Sequence, residues 1–175
     1  IIRKKKKVEI LSSSLPASDL QFNYGDIGNT SKRIIGGPND QLNNTEWTLL
    51  LNGPGSLGRS FYWKILGGVR EIKLYSFPNV NYKFSITKTP NGSSFSYVFV
   101  LENLDDNTSS TVTFDTFSPS VIPTTHPVYL GGSWMGENST SRFTGNITEI
   151  TYQSSSYNGT YILKPTTIYS AETLF

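Results

Sequence analysis

The sequence has no cysteine, only one histidine and one methionine, and a charged fraction of just 16% in its 175 residues. The absence of cysteine excludes disulfides, thiolate zinc sites and cysteine nucleophiles. No apolar run approaches the roughly 18 residues that a membrane-spanning helix needs. We therefore expect a protein that does not insert into a membrane and whose core is held together by packing alone.

Positive charge is concentrated in one segment near the start of the chain. Residues 3–7 read Arg-Lys-Lys-Lys-Lys and hold five of the fifteen basic residues, so the rest has ten basic residues against thirteen acidic ones. A globular part with this balance is not expected to bind nucleic acid through its charge. We predict that residues 1–18 are a basic extension or linker with a possible short strand, and that residues 19–175 form one domain. A role of the basic segment in binding polyanions or membranes, or in proteolytic processing, stays open.

Aromatic residues make up 13% of the chain, and Ser, Thr, Asn and Gly fill the stretches between its apolar runs. This composition favours strands joined by turns, because aromatic and β-branched side chains pack well on a pleated surface. Alternating patterns or strand-length apolar runs lie at 47–51, 60–66, 69–77, 82–89, 95–101, 111–117, 128–130, 142–153 and 159–169. The clearest hairpin is "YKFSITKTPNGSSFSYVFVL", with Pro90, Asn91 and Gly92 at its turn.

This pattern predicts an all-β protein of roughly nine to eleven strands, folded as a two-sheet antiparallel β-sandwich of jelly-roll type. Trp47 and Trp63 lie inside apolar runs and are predicted to be core residues. Trp134, in contrast, stands in the loop "LGGSWMGENSTS" among small polar residues.

Catalytic and metal-binding patterns are scarce. Glycosidases of sandwich fold use two carboxylates spaced along one strand, but Glu149 is alone on its predicted strand. His126 precedes a proline in a loop and is a poor base for a Ser-His-Asp triad. Glu102, Asp105, Asp106 and Asn107 lack the regular spacing of a calcium loop. We therefore predict no catalytic residues, no metal, no cofactor and no enzymatic activity.

Trp134 is the best candidate for a binding residue. A sugar presents an apolar C–H face with hydroxyl edges, so a lectin site combines an exposed aromatic ring with polar donors. The residues predicted to form such a glycan- or receptor-binding site are Trp134, Asn138, Arg142, Tyr152, Tyr157 and Asn158. The alternative is that Trp134 folds back over the edge of the sandwich.

Two resemblances bear on function. The strand ending at Gly131 and Gly132, followed by Arg142, Phe143, Gly145, Ile147 and Ile150, resembles the late strands of concanavalin A-like and laminin G-like jelly rolls. Three other segments, "WTLLLNGPGS", "YKFSITKTPNGSSFSY" and "TYQSSSYNGTYILKP", resemble the galectin-like attachment head of the rotavirus spike. Both resemblances imply a curved two-sheet fold that binds glycans or cell-surface partners.

On this basis we expect a non-enzymatic, glycan- or receptor-binding head domain of a viral attachment spike. Its partner would be a cell-surface glycan or glycoprotein receptor, and weak single sites would be strengthened by multivalent display in a larger spike. The expected location is the virion surface or the extracellular space. The alternatives are a laminin G-like adhesion module of a cell-surface protein and a structural capsid or fibre domain.

Overall fold

The structure is a computed structural model that describes residues 18–36, 47–65, 68–117, 129–130, 143–154, 159–163, 168–169 and 172–173. The described part of the chain contains strands and no helix, and so no helix within it that is long and apolar enough to cross a membrane. In chain order the strands are β1 (Ser18–Asn23), β2 (Lys32–Gly36), β3 (Trp47–Leu51), β4 (Arg59–Ile65), β5 (Gly68–Ser76), β6 (Tyr82–Asn91), β7 (Ser94–Asn103), β8 (Thr108–Phe117), β9 (Tyr129–Leu130), β10 (Gly145–Ser154), β11 (Gly159–Leu163), β12 (Ile168–Tyr169) and β13 (Glu172–Thr173).

The strands form two antiparallel sheets, which confirms the predicted β-sandwich. One sheet has seven strands in the order β11-β10-β1-β6-β7-β8, with β12 also paired to β10. The other has six strands in the order β13-β9-β2-β3-β4-β5. The thirteen described strands exceed the nine to eleven expected, because β1, β2 and β13 lie outside the predicted segments and the segment 159–169 forms two strands, β11 and β12.

The core lies between the sheets and is rich in aromatic side chains. Phe61 of β4 and Phe84 of β6 face each other across the sandwich with their ring centres 4.7 Å apart. Trp63 is fully buried, as predicted, and its ring centre lies 6.0 Å from that of Phe99. The side chain of Trp47 lies outside those described. Contacts of this kind contribute dispersion and ring-pairing energy in addition to the area they remove from water.

The long hairpin of β6 and β7 differs from its prediction at the turn. Pro90 and Asn91 belong to β6, and Asn91 pairs with Ser94, so the turn consists of Gly92 and Ser93 alone. Gly92 has a φ of 61°, which a two-residue hairpin turn commonly requires at its first position and which glycine adopts without strain. A second hairpin joins β7 and β8 through residues 104–107.

Candidate functional site

The outer surface of the seven-stranded sheet carries polar side chains across its central strands, and we call it the polar face. It arises from simple alternation, since Leu20 and Phe22 of β1 point into the core while Asp19 and Gln21 point the other way. Successive side chains of a strand lie on opposite sides of a sheet. Asp19 and Gln21 are half-buried, as is Glu149 on the neighbouring strand β10.

Gln21 and Glu149 face each other directly across β1 and β10. The register places Gln21 opposite Glu149 and Phe22 opposite Ile147, so Thr148 is the extra residue of a β-bulge. The Thr148 hydroxyl donates a hydrogen bond of 3.3 Å to the backbone carbonyl of Gln21. Directly opposed residues of an antiparallel pair share one face, with Cβ atoms about 4.5–5.5 Å apart. Bulges of this kind re-aim side chains and are frequent next to active sites.

The same row of side chains continues across the sheet. Lys83 of β6 lies opposite Gln21, and Glu102 of β7 lies opposite Lys83. Lys83 Nζ and Glu102 Oε2 are 2.5 Å apart, and both side chains are about one-third exposed. The hydrogen bond to Glu102 is the main cause that raises the pKa of Lys83, and the charges of Glu102 and Asp19 raise it further against the opposing effect of burial. The row therefore presents a carboxylate, an amide, an ammonium and a second carboxylate on four adjacent strands.

A chain of amide hydrogen bonds fixes one end of this sheet. Asn146 Nδ2 donates to Asn23 Oδ1, Asn23 Nδ2 donates to Asn81 Oδ1, and Asn81 Nδ2 donates to Asp105 Oδ1, each at 2.8 Å. The backbone N–H of Asn81 also donates to Asp105 Oδ2 at 3.0 Å. These bonds hold the pKa of Asp105 below its usual value. They join β10, β1 and the β7–β8 turn, and so help to set the register that brings Glu149 to Gln21.

The described residues offer no obvious metal centre. Within the ranges that the structure describes, no group of three or more His, Cys, Asp or Glu side chains is placed to hold an ion.

Five of the six binding residues predicted from the sequence lie outside the described residues: Trp134, Asn138, Arg142, Tyr157 and Asn158. For the sixth, Tyr152, the structure places the backbone on β10, opposite Ser18 of β1 and Tyr161 of β11. The structure therefore does not test this site, and His126 also lies outside the described ranges.

The motif that suggested a jelly roll has a structural role. Phe143 and Ile147 are buried core residues. The backbone N–H of Phe143 donates a hydrogen bond of 3.3 Å to the carbonyl of Arg33 on β2, in the six-stranded sheet. A Cβ atom at Gly145 would lie only 2.5 Å from the carbonyl oxygen of Asn23. Glycine is therefore needed there because two backbones approach closely.

Sequence reasoning missed Asp19 and Gln21 because it did not predict β1. The available signal was the alternation of Leu20, Phe22 and Tyr24, all of which are buried. It also treated Glu149 as isolated by searching for carboxylates along one strand only. The structure shows that the neighbours of Glu149 come from β1, which lies more than a hundred residues earlier in the chain.

Comparison with known proteins gives no family. No family model matches the chain, and no curated protein matches it. Two solved structures are similar in fold, both crystal structures of scytalido-glutamic peptidase with transition-state analogues. The first is 9% identical in sequence, with a TM-score of 0.42, and the alignment covers 89% of this chain and 77% of the peptidase chain. The second is 10% identical, with a TM-score of 0.44, and the alignment covers 95% of this chain and 85% of the peptidase chain.

Both of these structures are of an enzyme, and neither is a lectin or a spike head. On this finding the prediction of a non-enzymatic glycan- or receptor-binding head is wrong, and we set it aside together with its adhesion-module and capsid alternatives. The prediction of glycan or receptor binding rested on Trp134 and on the two resemblances, and its non-enzymatic part rested on the absence of paired catalytic groups on any one strand. A likeness at this TM-score does not carry the peptidase activity over to this chain. Any function must therefore be argued from the polar face itself.

Proposed function

We propose that the chain is a hydrolase of acyl bonds, amides or esters, whose site is the Gln21–Glu149 pair on the polar face. The observation that carries this proposal is the direct opposition of these two residues at a β-bulge. A carboxylate beside an amide donor supplies the two functions that acyl hydrolysis needs. One is a base for the attacking water, and the other is a donor to the oxygen on which negative charge develops.

In the proposed reaction Glu149 accepts a proton from a water molecule whose oxygen bonds to the substrate's carbonyl carbon. The π electrons of the carbonyl move onto its oxygen, which accepts a hydrogen bond from the side-chain N–H of Gln21. When the tetrahedral intermediate collapses, the bond to the leaving nitrogen or oxygen breaks. The leaving group takes the proton that Glu149 held, and the carboxylate is restored.

Acyl bonds fit the arrangement better than glycosidic bonds. Asp19 is the diagonal neighbour of Glu149, at a typical Cβ separation of about 7–8 Å, and such spacing alone would suit a glycosidase that inverts configuration. However, the residue directly opposite Glu149 is Gln21. Its amide can donate to a carbonyl oxygen but cannot act as the general acid that glycoside hydrolysis requires.

The test is hydrolysis of a quenched-fluorescent peptide library between pH 3 and pH 8. The reaction is run in water enriched in oxygen-18, and the products are identified by mass spectrometry. We expect cleavage with one labelled oxygen per product carboxyl. Glu149→Gln should lower the rate about 10²–10⁴-fold, and Gln21→Ala should lower it about 10²–10³-fold. Asp115→Asn, an exposed carboxylate on the edge strand β8, is the matched control and should retain full activity.

Failure to cleave any peptide or ester, or an equal rate in Glu149→Gln, would overturn the proposal. Cleavage of oligosaccharides with peptides left intact would also overturn it, in favour of glycoside hydrolysis. Circular dichroism of each variant distinguishes a loss of activity from a loss of folded structure. Location on an outer surface and assembly into a multimer stay predictions from the sequence.

A further inference from the structure

The described charges on the polar face are mainly negative. Its carboxylates around the proposed site are Asp19, Glu102 and Glu149, and Lys83 is the basic side chain that the structure describes among them. Lys83 is in contact with Glu102, with 2.5 Å between Nζ and Oε2, so its positive charge is largely compensated. Among the described residues the charge beside Gln21 is therefore mainly negative, and such a field attracts cations.

Outside the basic segment of residues 3–7 the chain has ten basic and thirteen acidic residues, so a small negative excess is spread over the rest of the sequence. The outer surface of the other sheet differs, since Arg33 of β2 and Lys73 of β5 lie there with Glu71. Glu71 accepts a hydrogen bond of 3.0 Å from the hydroxyl of Ser60. Among the described residues, the outer surface of the six-stranded sheet therefore lacks the negative excess of the polar face.

Asp19 is placed to contact one side chain of a bound substrate. It lies two residues from Gln21 on the same strand and the same face, which is about 7 Å along β1. An extended peptide lying along β1 repeats its own side chains at the same two-residue spacing. When its scissile carbonyl is at Gln21, a side chain close to that bond lies over Asp19.

We propose that Asp19 makes the site selective for cationic substrates, peptides with a Lys or Arg side chain within two residues of the bond that is cleaved. This inference rests on the proposed hydrolytic function and names the substrate class of that site. Asp19 is a specificity residue in this account, and Glu149 and Gln21 remain the groups that act on the reacting atoms.

The experiment compares two peptides identical except for Lys or Glu beside the cleaved bond, at 20 mM and at 500 mM salt. We expect the Lys peptide to have a kcat/KM roughly tenfold higher at low salt and the ratio to fall several-fold at high salt, because salt screens exposed charges. Asp19→Asn should reduce the low-salt ratio at least threefold. Asp115→Asn, four strands away from Glu149 on the far edge strand, should leave the ratio unchanged.

Direct binding keeps this inference separate from the proposed function. Fluorescence anisotropy with labelled Lys and Glu peptides uses Gln21→Ala, which slows cleavage and keeps every charge on the polar face. Tighter binding of the Lys peptide, lost in the Asp19→Asn, Gln21→Ala double variant, supports the inference even where cleavage fails. Equal binding and equal kcat/KM for the two peptides overturn it, and cleavage without charge preference leaves the hydrolase proposal standing.

Discussion

The guanidinium carbon of Arg59 lies 6.0 Å from the centre of the Tyr24 ring, and both side chains are buried. The guanidinium donates hydrogen bonds to three backbone carbonyls, those of Gly28, Thr30 and Asn52. A buried cation is tolerated when its donors are satisfied and an aromatic face lies beside it. Arg59 therefore ties the β1–β2 connection to the β3–β4 connection at one end of the sandwich.

Replacing Arg59 by Ala should lower the free energy of unfolding by about 3–4 kcal/mol. The loss includes the packing of the side chain and leaves three carbonyls without their charged donor. Urea denaturation followed by tryptophan fluorescence measures it. Lys73→Ala, an exposed cation on β5, is the matched control and should change stability by less than about 0.5 kcal/mol. An equal effect of the two substitutions would contradict this role of Arg59.

Gly145→Ala should destabilise the protein by about 2–3 kcal/mol. The added Cβ would lie 2.5 Å from the carbonyl oxygen of Asn23 and 2.6 Å from Cζ of Phe143, so β1 and β10 must separate. Gly25→Ala is the control, because the nearest atom to its Cβ would be 3.8 Å away. Thermal unfolding should show a clearly lower Tm for the first variant alone, and unchanged Tm values for both would contradict the close approach.

The pH dependence of stability should show the burial of Tyr97. Burial raises the pKa of Tyr97 to about 12 from the ordinary 10.0, so the folded chain keeps the phenol proton more tightly than the unfolded chain. This contribution is fully present below pH 10 and is lost as the pH rises from 10 towards 12, at up to about 1.4 kcal/mol per pH unit.

Tyr97→Phe should therefore lose stability less steeply above pH 10 than the natural chain. Burial also raises the pKa of Tyr24 and of Tyr82, so part of the slope remains. Urea denaturation midpoints between pH 6 and pH 11.5 measure the pH dependence of stability. A constant difference in midpoint between the two proteins below pH 9 is the internal control. Identical slopes above pH 10 would show that Tyr97 is not the group responsible.

Asp105 should titrate at a lower pH than an ordinary aspartate because Asn81 donates to both of its carboxylate oxygens. Its stabilising effect is present above the ordinary value of 3.8 and is lost as the pH falls through the lowered pKa. Carbon-13 NMR of the side-chain carboxyl follows this titration. Asn81→Ala should move the pKa back towards 3.8, whereas Asn91→Ala, at the other end of the hairpin, should leave it low.

Much of the fold was predictable, because strands such as β3 and β5–β8 carry long alternating or uniformly apolar patterns bounded by turn residues. The two sheets and the burial of Trp63 followed from those patterns. The order of strands was not predictable, since it depends on which distant segments fit together in the core. Asp19, Gln21 and Glu149 become neighbours only through that order, so the candidate site could not be found from the spacing of residues along the chain.

The pairing of β1 with β10 also constrains how the protein folds. The hydrogen bond from Thr148 to Gln21 joins residues 127 positions apart, whereas the β6–β7–β8 meander closes through short turns. Closing a long loop costs entropy before any stabilising interaction is gained, so the meander can form early and the β1–β10 pairing late. The acyl-hydrolase site proposed on that pair would then be among the last parts of the molecule to mature during folding.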